Sequence, residues 1–240
     1  MDTRPGAIFC WSGGKDSAYC LDRVLNENLF EVRYLLTTLN AGFRRVSMHG
    51  VREELLDRQA ESIGIPLLKV WVSDGSNEEY ERQMGAVLSK AKSEGIRHVI
   101  FGDIFLEDLR AYRERNLAGI GMEAVFPLWQ SDTAEVVGDF IRRGFKAIVC
   151  CTNDAWMGGD WTGRLIDEAF VKALPAGVDP CGENGEYHSF CFDGPIFKKQ
   201  IGCTTGEKIF RPLEVKPDDL YPGHPGPVTR GFWYCELLPG

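Results

Sequence analysis

Apolar positions in the first half of the chain fall into short runs separated by segments with helical spacing. Runs at Ala7–Trp11, Glu31–Leu39, Leu67–Val72 and His98–Ile104 predict strands, since their length and bounding turn residues suit a half-buried or buried strand. Between them, Ser17–Glu27 repeats apolar residues at Ala18, Leu21, Val24 and Leu25. Val51–Ile63 does so at Val51, Leu55, Leu56 and Ile63, and Glu78–Glu94 at Met84, Val87, Leu88 and Ala91. A 3.6-residue spacing gives each segment one apolar face and predicts three helices. This alternation predicts an α/β fold, a doubly wound parallel sheet covered on both faces. Its crossovers are expected to be right-handed, with ligands at the carboxyl ends of the strands.

After Leu128 the pattern changes. Helices are expected at Asp132–Arg143 and Gly163–Leu174, with a strand at Phe145–Cys151 between them. Beyond Pro175, "YHSFCFDGPIF", "QIGCTTGEKIF" and "GFWYCELL" mix β-formers with glycine and proline, which predicts an antiparallel hairpin or small sheet. Residues 1–128 are therefore expected to form one domain and residues 129–240 a second, smaller α+β domain. The proline-rich stretch Tyr221–Thr229 reads as a rigid connecting loop, because an apolar strand follows it.

Composition narrows the class. Hydrophobic residues make up 44% and charged residues 26% of 240 positions, ordinary values for a soluble globular protein. No stretch approaches the roughly 18 uninterrupted apolar residues of a membrane span. The opening "MDTRPGAIFCW" lacks the basic region, apolar stretch and cleavage site of a signal peptide, so a cytoplasmic location is expected. The eight cysteines include no C-x-x-C pair, a pattern that reads as reduced thiols without structural zinc. A net charge of −8 disfavours nucleic acid, since an acidic surface repels phosphate backbones. The short basic stretches Phe43–Arg45, Ile141–Lys146 and Phe197–Lys199 read as solvated faces.

The chemistry concentrates in Ser12-Gly13-Gly14-Lys15-Asp16-Ser17, set between the first strand and the first helix. Glycines let a backbone approach a bulky anion, and the first N–H groups of a helix are unpaired donors at its positive end. Ser12 and Ser17 add hydroxyls and Lys15 adds a charge, so the stretch suits phosphate oxygens. Read as structure alone, it is a turn whose Asp16 favours the helix N-terminus. The spacing is not G-x-x-x-x-G-K-[ST], whose lysine serves the terminal phosphates.

The sequence Ser-Gly-Gly-Lys-Asp-Ser resembles the pyrophosphate loop of the ATP pyrophosphatase superfamily, whose fold is the HUP, or adenine nucleotide alpha hydrolase-like, sheet. That resemblance implies cleavage of ATP between its α and β phosphates, with Asp16 near Mg²⁺ on the phosphates. Later stretches narrow the match. "LLTTLN" carries Thr37 and Thr38, where a strand edge offers backbone groups to adenine. "SMHG" carries His49 and Gly50, and "FGDI" carries Gly102 and Asp103. With "PLW" at Pro127–Trp129 and "CGENGEYHSFCFDGPIF" at Cys181–Phe197, nearly the whole chain resembles the diphthine–ammonia ligase family.

The resemblance implies that ATP adenylates a carboxylate, of a small molecule or a protein side chain, and that ammonia displaces AMP to form an amide. No glutaminase segment is recognisable, so free ammonia or a partner would supply the nitrogen. Lys15, Asp16, Asp103, Glu183 and Glu186 are the implied catalytic residues, and Glu183, Asn184, Gly185, Glu186 and His188 the substrate side. Asn184 replaces a glycine of the diphthine-acting members, and His188 stands where they have an acid. This departure is similar to a bacterial branch with a suspected cobalamin-related role.

Each residue also has a plainer reading. Asp103 at a parallel strand's carboxyl end faces the ligand crevice or caps the next helix. His49 and His188 read equally as polar end and half-exposed strand residue. Arg110 and Arg113 read first as a solvated helix face, and Trp129, Trp156 and Trp161 as packing groups. Asn153–Gly163 is a candidate lid or pocket wall, and Phe232, Trp233 and Tyr234 suit either a homodimer contact or a buried strand. Two other functions compete: a tRNA-modifying enzyme with the same loop, and a module that binds ATP or AMP without turnover.

Overall fold

The computed structural model describes residues 4–73, 77–213 and 229–240. Its central sheet is built on β1 (Gly6–Cys10), β2 (Glu31–Asn40), β4 (Leu67–Val72), β5 (His98–Ile100) and β6 (Glu123–Val125), all parallel. Across the sheet they lie in the order β4, β2, β1, β5, β6. The chain moves outward from β1 to β4 and then returns to the far side of β1. That reversal opens a crevice at the carboxyl ends of β1 and β5. A short β3 (Arg45–Val46) pairs antiparallel with Leu39 and Asn40.

Helices α1 (Lys15–Glu27), α2 (Glu53–Ile63), α3 (Asn77–Ser93) and α4 (Glu107–Gly119) cover the sheet. Side-chain alternation along β1 decides which core each residue joins. Ala7 and Phe9 pack with Leu21, Leu35 and Leu55, whereas Ile8 packs with Leu88, Val99 and Leu117. The first cluster runs on into the rest of the chain, taking in Phe140, Val149 and Phe190.

The second sheet is antiparallel, in the order β8 (Tyr187–Asp193), β7 (Lys146–Asn153), β10 (Gly231–Pro239), β9 (Cys203–Pro212). Helix α5 (Thr133–Arg142) is capped by Asp132, whose Oδ1 accepts from the N–H groups of Ala134 and Glu135 at 2.8 and 3.0 Å. The α/β expectation thus holds, with a mostly parallel central sheet and a second antiparallel one. Phe232, Trp233 and Tyr234 lie in the first half of β10, paired with β7 on one side and β9 on the other.

Some elements differ from expectation. The helix expected over Gly163–Leu174 shrinks to α6 (Glu168–Ala173). Gly163 has φ +80°, and residues 163–166 bond to β7: Gly163 N–H to the Val149 carbonyl at 2.8 Å, and Ile166 N–H to that of Ala147 at 2.9 Å. Strand β5 stops at Ile100 rather than Ile104: its pairing ends opposite Phe9 and Val125, and beyond it the Ile104 N–H is directed to the Glu183 carboxylate. Of the loop expected at Tyr221–Thr229, residues 221–228 lie outside the described residues.

Most cations of the basic stretches pair with acids: Arg44 with Glu53, Arg45 with Glu236, Arg142 with Asp139, Arg143 with Asp22, Lys146 with Asp193 and Lys199 with Glu61. All eight cysteines are free thiols. Among the described residues, no helix is long and apolar enough to cross a membrane.

Candidate active site

The turn after β1 is held from behind by α2 and β8. Gly13 has φ +79°, and a Cβ there would lie 2.6 Å from Leu56 Cδ1 and 2.8 Å from Gln59 Oε1, so only glycine fits. Its carbonyl accepts from Cys191 N–H at 2.8 Å and from Gln59 Nε2 at 3.0 Å. Gly14 passes the Ser189 carbonyl so closely that a Cβ would sit 3.0 Å from it. Ser12 Oγ accepts from Gly14 N–H at 3.2 Å and lies 3.1 Å from Ser17 Oγ. The turn is thereby shaped by the protein's own contacts.

Lys15 opens α1 and is only 3% exposed. Its ammonium donates to Asp16 Oδ2 at 2.8 Å and to the Cys181 carbonyl, and sits 4.9 Å from the Tyr187 ring centroid. Burial works against that charge, but the Asp16 carboxylate together with Tyr187 and Cys181 outweighs it and holds the pKa above the usual lysine value. Lys15 therefore stays cationic at the positive end of α1, where both charge and dipole favour an anion. Asp16 Oδ1 is enclosed and has no partner among the described residues.

In front of the turn lies a cavity of about 680 Å³. One end is polar, bordered by Ser12, Gly14, Lys15, Asp16, Ser17 and Ser189. The other end is apolar and aromatic, with Met84 and Leu88 from α3, Phe101 just after β5, and Leu109, Tyr112 and Leu117 from α4. Thr37 and Thr38 from β2, and Gly102 and Asp103 after β5, line it as well. Its size and its mix of apolar wall with a few polar groups suit a ligand site.

Asp103 pairs with Arg113 of α4 at 3.1 Å, and the guanidinium lies 4.2 Å from the Phe101 ring centroid. Burial raises the Asp103 pKa, against the pull of Arg113. Arg113 thus belongs to the cavity wall and not to the solvated face expected of it. Arg110 instead bonds Glu114 and stacks 4.6 Å from the Trp129 ring.

The Cys181–Ser189 segment divides between cavity and support. Glu183, His188 and Ser189 line the cavity. Glu183 Oε1 accepts from Ile104 N–H at 2.7 Å. Glu186 turns the other way and is fully buried; its Oε1 accepts from Asp179 N–H and Asn184 Nδ2, both at 3.0 Å. Asn184 and Gly185 stand off the cavity wall, as do Gly13 and Gly50. Gly50, with φ +68°, packs under Tyr234 of β10, where a Cβ would lie 2.7 Å from the ring. The His49 and His188 rings face each other at 4.6 Å in the cavity wall. Burial pushes His49 down to about 4 and His188 well below its usual value, so both imidazoles are neutral.

None of residues 153–163 borders the cavity; they pack near β10, with Gly159 against Trp233. Reading the sequence also missed Gln59, Ser189, Tyr187 and the Cys181 carbonyl, which hold the turn and Lys15. Their neighbourhood depends on contacts across 46 to 174 residues, for which one sequence holds no local signal.

Residues 6–124 match the model of the diphthamide synthase N-terminal domain, and residues 132–214 that of the C-terminal domain. Among curated proteins, the chain is 27% identical to diphthine–ammonia ligase of Rattus norvegicus over 229 residues, 85% of each chain. It is 26% identical to that of Danio rerio over 232 residues, 88% of this chain and 89% of the relative. It is 24% identical to that of Homo sapiens over 227 residues, 85% of each. The expectation of an amide-forming ligase stands on these matches. Two domain models of one family, met in order along the chain, show that it belongs to the diphthamide synthase family.

Proposed function

We propose that the protein is a cytoplasmic ATP-dependent ligase that adenylates a carboxylate, releases pyrophosphate and passes the acyl group to ammonia. The observation that carries this reading is Lys15, buried and cationic at the start of α1, at the polar end of a cavity large enough for a nucleotide and more. Ser12, Gly14, Lys15 and Ser17 would hold the departing pyrophosphate, with Gly13 shaping the turn behind them, and their donors are fixed before reaction, which favours charge that develops there. Thr37, Thr38, His49 and Gly102 border the nucleotide in this reading, while Gly50 supports the wall from behind. Residues 1–128 bind ATP, and residues 129–240 bring the acceptor side through Glu183 and His188.

Mg²⁺ fits the site at Asp16, whose Oδ1 is an enclosed oxygen donor without a partner among the described residues. No group of three or more metal-ligating side chains occurs among the described residues, and Mg²⁺ is commonly held by one or two carboxylates plus phosphates. When bound, the metal supplies charge neutralisation on the phosphates. Asp16 would hold it while Lys15 keeps the second carboxylate oxygen in place.

Diphthine is the acceptor that the relatives' names give, and we extend it to this chain. His188 faces the cavity at the position where the sequence departs from diphthine-acting members, so the assay carries a corrinoid carboxylate as its second arm. The acid partners of the basic stretches weigh against tRNA as the acceptor. Incubation with ATP, Mg²⁺, ammonium and a diphthine-bearing protein, or a corrinoid carboxylate in its place, is expected to yield AMP and pyrophosphate in step with amide from the true acceptor. ADP and phosphate as products would overturn the reading.

A further inference from the structure

The amide reaction needs a nucleophile that hardly exists at neutral pH. Ammonia is then almost entirely ammonium, whose nitrogen has no free electron pair. A site that uses ammonium must first attract a small cation and then remove a proton from it. One side chain in the cavity is built for both.

Glu183 is oriented at two points. Its N–H donates to Asp179 Oδ1 at 3.1 Å, and its Oε1 accepts from Ile104 N–H at 2.7 Å. Asp179 is itself fixed, since its Oδ2 accepts from Thr133 Oγ1 at 2.6 Å and its N–H donates to Glu186. The second oxygen of Glu183 makes no hydrogen bond among the described residues, and the side chain borders the cavity.

The charged groups that act on Glu183 come from two other elements. Asp103 follows β5 and is paired with Arg113 of α4; Asp16 and Lys15 open α1 and are paired with each other. Each of the two aspartates has a cation of its own. Glu183 has none among the described residues, which leaves its second oxygen free to take a cation from the cavity.

We infer that Glu183 binds ammonium from the cavity and accepts its proton, delivering ammonia to the activated carboxyl. The inference rests on the amidation proposed above. Ammonium gives one proton to the Glu183 carboxylate and becomes ammonia with a free electron pair. That pair forms the C–N bond to the acyl carbon, and the C–O bond to AMP breaks with its electrons leaving on the AMP phosphate. The nitrogen then loses a second proton to water, and Glu183 returns its own to solvent through the cavity. Burial, with Asp16 and Asp103 close by, pushes the Glu183 carboxyl up to about 7 against the Ile104 hydrogen bond. A carboxylate poised there is matched to proton removal at neutral pH.

Hydroxylamine is the discriminating probe, because it is already unprotonated at neutral pH and needs no base to become a nucleophile. Wild-type protein and Glu183→Gln are compared with ATP, Mg²⁺ and a diphthine-bearing protein, using ammonium chloride in one arm and hydroxylamine in the other. Glu183→Gln is expected to lose about 100-fold or more in amide formation from ammonium, while hydroxamate formation falls far less and reports that the variant is folded. Equal loss with both nucleophiles, or equal retention, would overturn the role given to Glu183. Absence of AMP and pyrophosphate from the wild type in both arms would instead remove the amidation reading, and this inference with it.

Discussion

Gln59 donates from Nε2 to the carbonyl of Gly13 at 3.0 Å, so a helix residue 46 positions downstream fixes the turn after β1. The same amide donates to the Cys191 carbonyl at 2.6 Å, and its Oε1 accepts from Trp11 Nε1 at 2.9 Å. One fully buried side chain therefore joins β1, the turn and β8.

Gln59→Ala removes all three bonds and leaves the Trp11 N–H and two carbonyls enclosed. An unsatisfied buried group costs about 1–3 kcal/mol, and the loss at Gln59 is expected to reach about 2–4 kcal/mol in urea denaturation. ATP binding should weaken as well, because Gly13 loses its anchor. A stability within error of wild type would show that the turn is held by other contacts.

The two histidines in the cavity wall give a pH signature. An unfolded chain protonates the His49 imidazole near 6.5, whereas burial pushes the folded value down to about 4. Between those values the unfolded state binds more protons, so stability falls as pH falls through that window. His188 acts in the same direction. Glu183 opposes them, since its raised value lets the folded state take up a proton as pH falls from about 7. The informative quantity is thus the difference between wild type and His49→Gln. After allowance for screening at a half-buried group, the wild type should lose on the order of 1–2 kcal/mol more than His49→Gln between pH 7 and pH 4. Equal losses would mean that His49 does not titrate differently in the folded protein.

What the sequence made legible follows from locality. The parallel strands, their helices and the turn at Ser12–Ser17 were readable because hydrophobic spacing and glycine placement act within a few residues. β3 and β6 were not, since two or three residues carry no period and pair only because neighbours exist. The helix expected from Gly163 was shortened by β7, whose open carbonyls outbid local propensity. In the candidate site, Glu183 and Glu186 looked alike three residues apart. The fold separates them, turning Glu183 to the cavity and Glu186 into a fully buried support. Arg113 read as a solvated residue because the partner that draws it inward, Asp103, lies in the preceding loop and faces the crevice.

The central claim is that the Lys15 turn holds pyrophosphate leaving from an adenylated carboxylate, and isotope exchange tests it most directly. Labelled pyrophosphate is supplied with ATP, Mg²⁺ and a diphthine-bearing protein, without ammonia, so that the adenylate can only revert. The account predicts acceptor-dependent entry of label into ATP, reduced about 100-fold or more in Lys15→Met, which keeps the apolar stem and removes the charge. Absence of exchange in the wild type with ADP accumulating, or full exchange in Lys15→Met, would contradict it.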